Sequence, residues 1–142
     1  MIALIVLVII NIIIFLYTKE DTKLVEVKEK YKVLREHLIA TGNEDFKMLY
    51  KEIPIIAHRK MSGAVGYNAN KGAEIGLCID GEVNEIFHVL LHELSHCTVD
   101  EYSHSKHFWG QFEKLRNEAV SVGIYEVISE RTPFCGKHVM DK

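Results

Sequence analysis

His92, Glu93 and His96 stand in the run His92-Glu93-Leu94-Ser95-His96, a His-Glu-x-x-His pattern. On a helix, positions i and i+4 share a face about 6 Å apart along the axis. His92 and His96 can therefore present two imidazoles to one metal ion. Glu93 lies one step round the helix, where it can reach a water on that ion and take its proton. Zinc suits such a site because it accepts nitrogen ligands and keeps a fourth, open position. His88 extends the row by one more turn. His88 and His96 are about 12 Å apart along the axis, too far to share an ion. Of the two adjacent pairs, only His92 and His96 have a Glu directly after the first His. His88 is therefore read as a residue behind the ligands or in solvent.

The helix must bury one face to hold these groups still. Asn84–Leu94 supplies that face through Ile86, Phe87, Leu90, Leu91 and Leu94, recurring at helical period. Upstream, Asp21–Ala40 reads as a helix with the stripe Leu24, Val27, Tyr31, Leu34 and Leu38. It is read as a domain helix packing on its own core in preference to a short coiled coil. Thr41-Gly42-Asn43 stops it. Asp45–Glu52 is a short helix or turn, and Pro54 starts an extended segment. A strand, a turn at Asn68–Gly72 and a second strand at Ala73–Asp80 follow. Ile75 and Leu77 fall on one face of that second strand, which could lie at a sheet edge and pair with an extended substrate. Phe108, Phe112, Leu115 and Ala119 mark a last helix, closed by Gly123. The tail from Ile124 to Lys142 has no clear element, and its Cys135–His138 run reads as incidental.

The chain has 142 residues, enough for one compact domain, and a net charge of -3, which gives no support to general phosphate binding. Met1–Tyr17 contains a single non-apolar residue, Asn11. That run sits at the lower limit of about 17 residues for a membrane-spanning helix. It lacks the basic start and small-x-small site of a cleaved leader. Lys19, Lys23, Lys28, Lys30, Lys32 and Arg35 all follow it, which predicts a single-pass anchor with the following domain in the cytosol. Cys78, Cys97 and Cys135 make no even framework and read as reduced thiols.

A catalytic zinc usually keeps three protein ligands. Downstream candidates are Asp100, Glu101, His104, His107 and Glu113. The Gly of the metzincin pattern is absent, and two histidines just before an aromatic helix start favour a histidine. Three segments together resemble the WLM-domain zinc metallopeptidases, relatives of the SprT/Spartan proteases. They are Gly66–Ile75 with its Gly-x-Asn-x-Asn-x-Gly turn, Leu90–Cys97, and His104–Trp109 running on to Leu115-Arg116. The likeness spans roughly residues 45–120. It implies His104 as the third ligand, in place of His107. The chain departs from the family in the stretch Cys97–Ser103, which is two residues longer and lacks the usual Gly-Pro. Compact anchored versions of such domains resemble proteins of large DNA viruses.

These readings predict an α+β, zincin-like domain with a small antiparallel or mixed sheet on the metal-binding helix. An anchor at residues 1–18 and a linker or first helix at 19–44 precede the peptidase domain at 45–142. The resemblance implies hydrolysis of peptide bonds in proteins, including proteins crosslinked to DNA, with Zn²⁺ held by His92, His96 and His104 and Glu93 as general base. His107 and His88 are the alternative ligands, and Tyr102 or His107 are candidates to stabilise the oxyanion. A processing protease on a membrane and a non-catalytic zinc-bearing adaptor are the competing readings. Oligomeric state is not encoded in any pattern.

Overall fold

The computed structural model describes residues 1–142. Two helices come first, α1 over Ile2–Thr18 and α2 over Thr22–Ala40, followed by a 3₁₀ turn at Glu44–Leu49. Three strands follow, β1 (Ile55–His58), β2 (Gly66–Ala69) and β3 (Glu74–Cys78), then α3 (Val83–His96) and α4 (Lys106–Ser121). A hairpin of β4 (Thr132–Phe134) and β5 (Lys137–Val139) ends the chain. The expected α+β class and mixed sheet are both present.

Each predicted apolar stripe is buried. Val27, Tyr31, Leu34 and Leu38 of α2 join one core with Ile86, Phe87, Leu90, Leu91 and Leu94 of α3 and Phe108, Phe112, Leu115 and Ala119 of α4, while Leu24 is buried outside that cluster. Burying one such side chain contributes about 1.5–3 kcal/mol, so α2 is held to the domain by the part of its stripe from Val27 to Leu38. Asp21 caps α2 by accepting from Lys23 N at 2.8 Å, and Ser105 caps α4 by accepting from Phe108 N at 3.0 Å. Both caps satisfy orphan amides of the first turn.

The sheet order is β1-β3-β2, with β1 parallel and β2 antiparallel to β3. This corrects the expectation for the second strand. β3 is central, hydrogen-bonded on both sides, and Ile75 and Leu77 are fully buried. They belong to the core and offer no substrate edge. A period-2 pattern reports which faces are apolar but not which strands lie on either side, so the sequence could not distinguish edge from centre. The edge beside α3 is β2. Gly66 is needed there because a Cβ would stand 2.6 Å from Val89 Cγ1 and 3.2 Å from Glu93 Oε1.

Two further expectations change. Cys78, at the end of β3, is disulfide-bonded to Cys135 in the β4–β5 turn, and only Cys97 is free. The reading of three reduced thiols fails, and the cytosolic orientation loses that support. The bond fastens the terminal hairpin to the sheet, and the Phe134 ring packs where a Cβ on Gly81 would be, 2.3 Å away. Closing a loop between residues separated by 57 positions constrains the unfolded chain by about 2–4 kcal/mol. Cys135→Ser should lower unfolding stability by about that amount, measured by denaturant titration of the oxidised chain.

The second change concerns α1. Its 17 residues are all exposed, and at 1.5 Å per residue they reach about 26 Å, short of a hydrocarbon core of about 30 Å. No single helix is long and apolar enough to cross a membrane; α1 and α2 together, bent by 51°, meet the criteria of length and composition. The apolar stripe of α2, however, is already committed to the core.

Candidate metal centre

α3 places His92 and His96 one turn apart on the face opposite its core stripe. His104 reaches the same point from the loop between α3 and α4. Its Nε2 lies 2.9 Å from His92 Nε2 and 3.2 Å from His96 Nε2. Three imidazole nitrogens do not converge this closely for hydrogen bonding alone, since one His104 Nε2 cannot serve both neighbours in a neutral set. Zinc–nitrogen bonds of about 2.0–2.1 Å at tetrahedral angles put donor atoms about 3.3 Å apart. The residues present therefore fit a shared ion, and the three form a group able to hold a metal.

The loop carrying His104 is fixed from several sides. Lys71 Nζ donates to the carbonyls of Val99 and Glu101, and the Glu101 carboxylate accepts from the Ser105 hydroxyl. Lys71 can do this because Asn70 and Lys71 both adopt left-handed backbone, at φ 48° and 50°, within the β2–β3 turn. Asn68 joins that turn to the metal helix. Its Nδ2 donates to Glu93 O at 2.7 Å, and its Oδ1 accepts from Gly72 N at 2.7 Å. These contacts give the Gly-x-Asn-x-Asn-x-Gly stretch a mechanical purpose. Aromatic rings of α4 wall the ligands: the Phe108 ring centroid lies 4.4 Å from that of His96 and 5.0 Å from that of His92, and Trp109 stands 5.7 Å from His104. Such packing restricts the imidazole rotamers.

The electrostatics favour lone pairs over protons. Burial, reinforced by His96 and His104, pulls the His92 imidazole down to about 3, and burial also lowers His96. Neutral imidazole is the form that binds a metal. Burial pushes the Glu93 carboxyl up to about 7, into the range where a carboxylate can exchange a proton near neutrality. Glu93 is 7% exposed.

Not every predicted residue comes to the cluster. The His107 side chain is 65% exposed, with Nδ1 3.7 Å from Glu101 Oε1. Tyr102 is exposed beneath Lys71, whose Nζ lies 4.6 Å from the ring centroid. Neither residue lines the metal cavity, so both lose their candidacy for the oxyanion. His88 is buried behind the ligands, its Nδ1 2.8 Å from Tyr125 Oη and 3.4 Å from Asp141 Oδ1. It borders the cavity but lies outside the ligand cluster, as its sequence position suggested. What the sequence reading missed is the far wall. A cavity of about 480 Å³ opens over the histidines, lined by Gly63–Gly66 on the β2 side and by Lys137, His138, Val139 and Met140 of the terminal hairpin. In the sequence the Cys135–His138 run reads as incidental; the hairpin reverses at Cys135 and Gly136, both with positive φ, 49° and 73°.

No known family model matches the chain, so the WLM likeness remains a resemblance. An uncharacterized protein, 136R of Invertebrate iridescent virus 6, is 26% identical over 116 residues, covering 82% of this chain. The chain spans 56% of that relative's length. A solved structure, the metallopeptidase zymogen of Pyrococcus abyssi abylysin, aligns with TM-score 0.48 at 20% identity, over 68% of this chain and 87% of that one. At that degree of similarity we draw neither fold nor function from it.

Proposed function

We propose that the chain is a zinc-dependent peptidase acting on protein substrates. One observation carries this reading. Three imidazole Nε2 atoms converge at the floor of an open cleft, and the buried carboxylate of Glu93, next to His92 in the chain, lines the same cavity. A purely structural metal site has no use for that carboxylate. Zinc held by His92, His96 and His104 would supply a Lewis acid and lower the pKa of a bound water towards about 7. Glu93 accepts the proton of the attacking water at a carboxylate oxygen and returns it to the leaving amine. An extended substrate lies along the Gly63–Gly66 side, where β2 provides the free edge that β3 does not. His138 lines the far side of the same cavity, and we assign it, in place of Tyr102 and His107, as the imidazole that donates to the carbonyl oxygen of the bond being cut.

The exposed apolar length of α1 supports attachment to a membrane, with too little reach to span one unaided. A net charge of -3 gives no support to general phosphate binding, so we read the substrate as protein without nucleic acid. The test is hydrolysis of an unfolded protein by the full chain. Activity should disappear on chelation and return with added zinc. Hydrolysis that survives complete metal removal would overturn the reading.

A further inference from the structure

The metal cleft continues beyond the histidines. Lys137, His138, Val139 and Met140 face both that cavity and a neighbouring one of about 570 Å³, which Arg131 and Lys142 complete. The lining of the outer cavity carries three permanent cations and no acidic side chain. Asp141, between two of the lining residues, is turned away: its side chain is 3% exposed, beside His88 and Arg116, and it accepts from Tyr125. Lys137 Nζ donates to the Gly63 carbonyl, and Lys142 Nζ stands 4.0 Å from the Trp109 ring centroid. A carbonyl and a ring face position an ammonium but do not cancel its charge. The groove is thus positive on a chain whose net charge is -3. The Cys78–Cys135 bond fixes its base, one residue before the Gly136-Lys137 step.

We propose that this groove selects peptide segments rich in Asp and Glu on one side of the bond to be cut. The proposal rests on the peptidase reading and names its substrate class. A peptide seated over the metal and passing across the hairpin leaves one cavity for the other, and carboxylates on it meet Lys137 first and then Arg131 and Lys142. Arg131, Lys137 and Lys142 are exposed, so each pair is weak alone and the three act together, in a way that salt screens. A nucleic acid fits less well, since tight phosphate binding uses about 6–10 cationic contacts and the groove offers three.

The test uses the full chain carrying Glu93→Gln, which cannot turn the probe over. A fluorescent peptide with a run of Glu is compared by anisotropy with its Gln counterpart. The Glu peptide should bind at least about tenfold tighter in low salt, a difference screened away near 1 M. Arg131→Glu with Lys137→Glu should bring the two peptides to parity, as should Lys142→Glu with Lys137→Glu, each variant first shown to keep its metal and its melting temperature. Equal binding of the two peptides would overturn the proposal. So would a preference that survives both charge reversals, or tighter binding of a single-stranded oligonucleotide. Because binding is read without turnover, a native chain that hydrolyses nothing would count against the peptidase reading, not against the groove.

Discussion

Glu93→Gln should leave the metal in place and lower peptide hydrolysis by about 10²–10⁴-fold. The exchange removes the only ionisable oxygen pair beside the ligands and keeps its volume. Glu93 Oε1 would be only 3.2 Å from a Cβ added to Gly66, so the amide occupies the same slot between β2 and α3. Burial holds the native carboxyl at about 7, where it can take a proton and give it up; the amide can do neither. The loss should fall on kcat, with substrate affinity little changed. Comparing metal content and turnover in the same preparation checks it, and near-native turnover would remove the general-base assignment.

The second large effect concerns the third ligand. His104→Ala should weaken metal binding by at least about a hundredfold and abolish activity, since two imidazoles leave the ion half solvated. His107→Ala should keep both. The two residues differ by three positions in sequence, yet one contributes an Nε2 within 3.2 Å of both partners and the other points its ring to solvent beside Glu101. A chain that loses its metal mainly in His107→Ala would mean the long Cys97–Ser103 stretch rearranges when the ion binds.

His92, Glu93 and His96 were legible because a helix converts spacing into a shared face, and the apolar residues of α3 say which face is free. The stripes of α2 and α4 were legible for the same reason. His104 was not fixed by any such rule. It reaches the cluster through a loop tied by Lys71, and only likeness to a three-part pattern pointed to it over His107. The place of β3 was misread because alternation does not encode neighbours. The far wall of the cleft was invisible because its anchor is a bond between Cys78 and Cys135, 57 positions apart. Three cysteines give no local sign of which two meet. Lys137 and His138 thus looked like a loose tail, although they line the same cavity as His92, His96 and His104.

The most direct measurement is the metal content of the native full chain purified without added metal, by elemental analysis. The account predicts zinc at one ion per chain, removed by chelation and restored on titration with zinc alone. A folded chain that carries no metal, and takes up none when zinc is supplied, would contradict it.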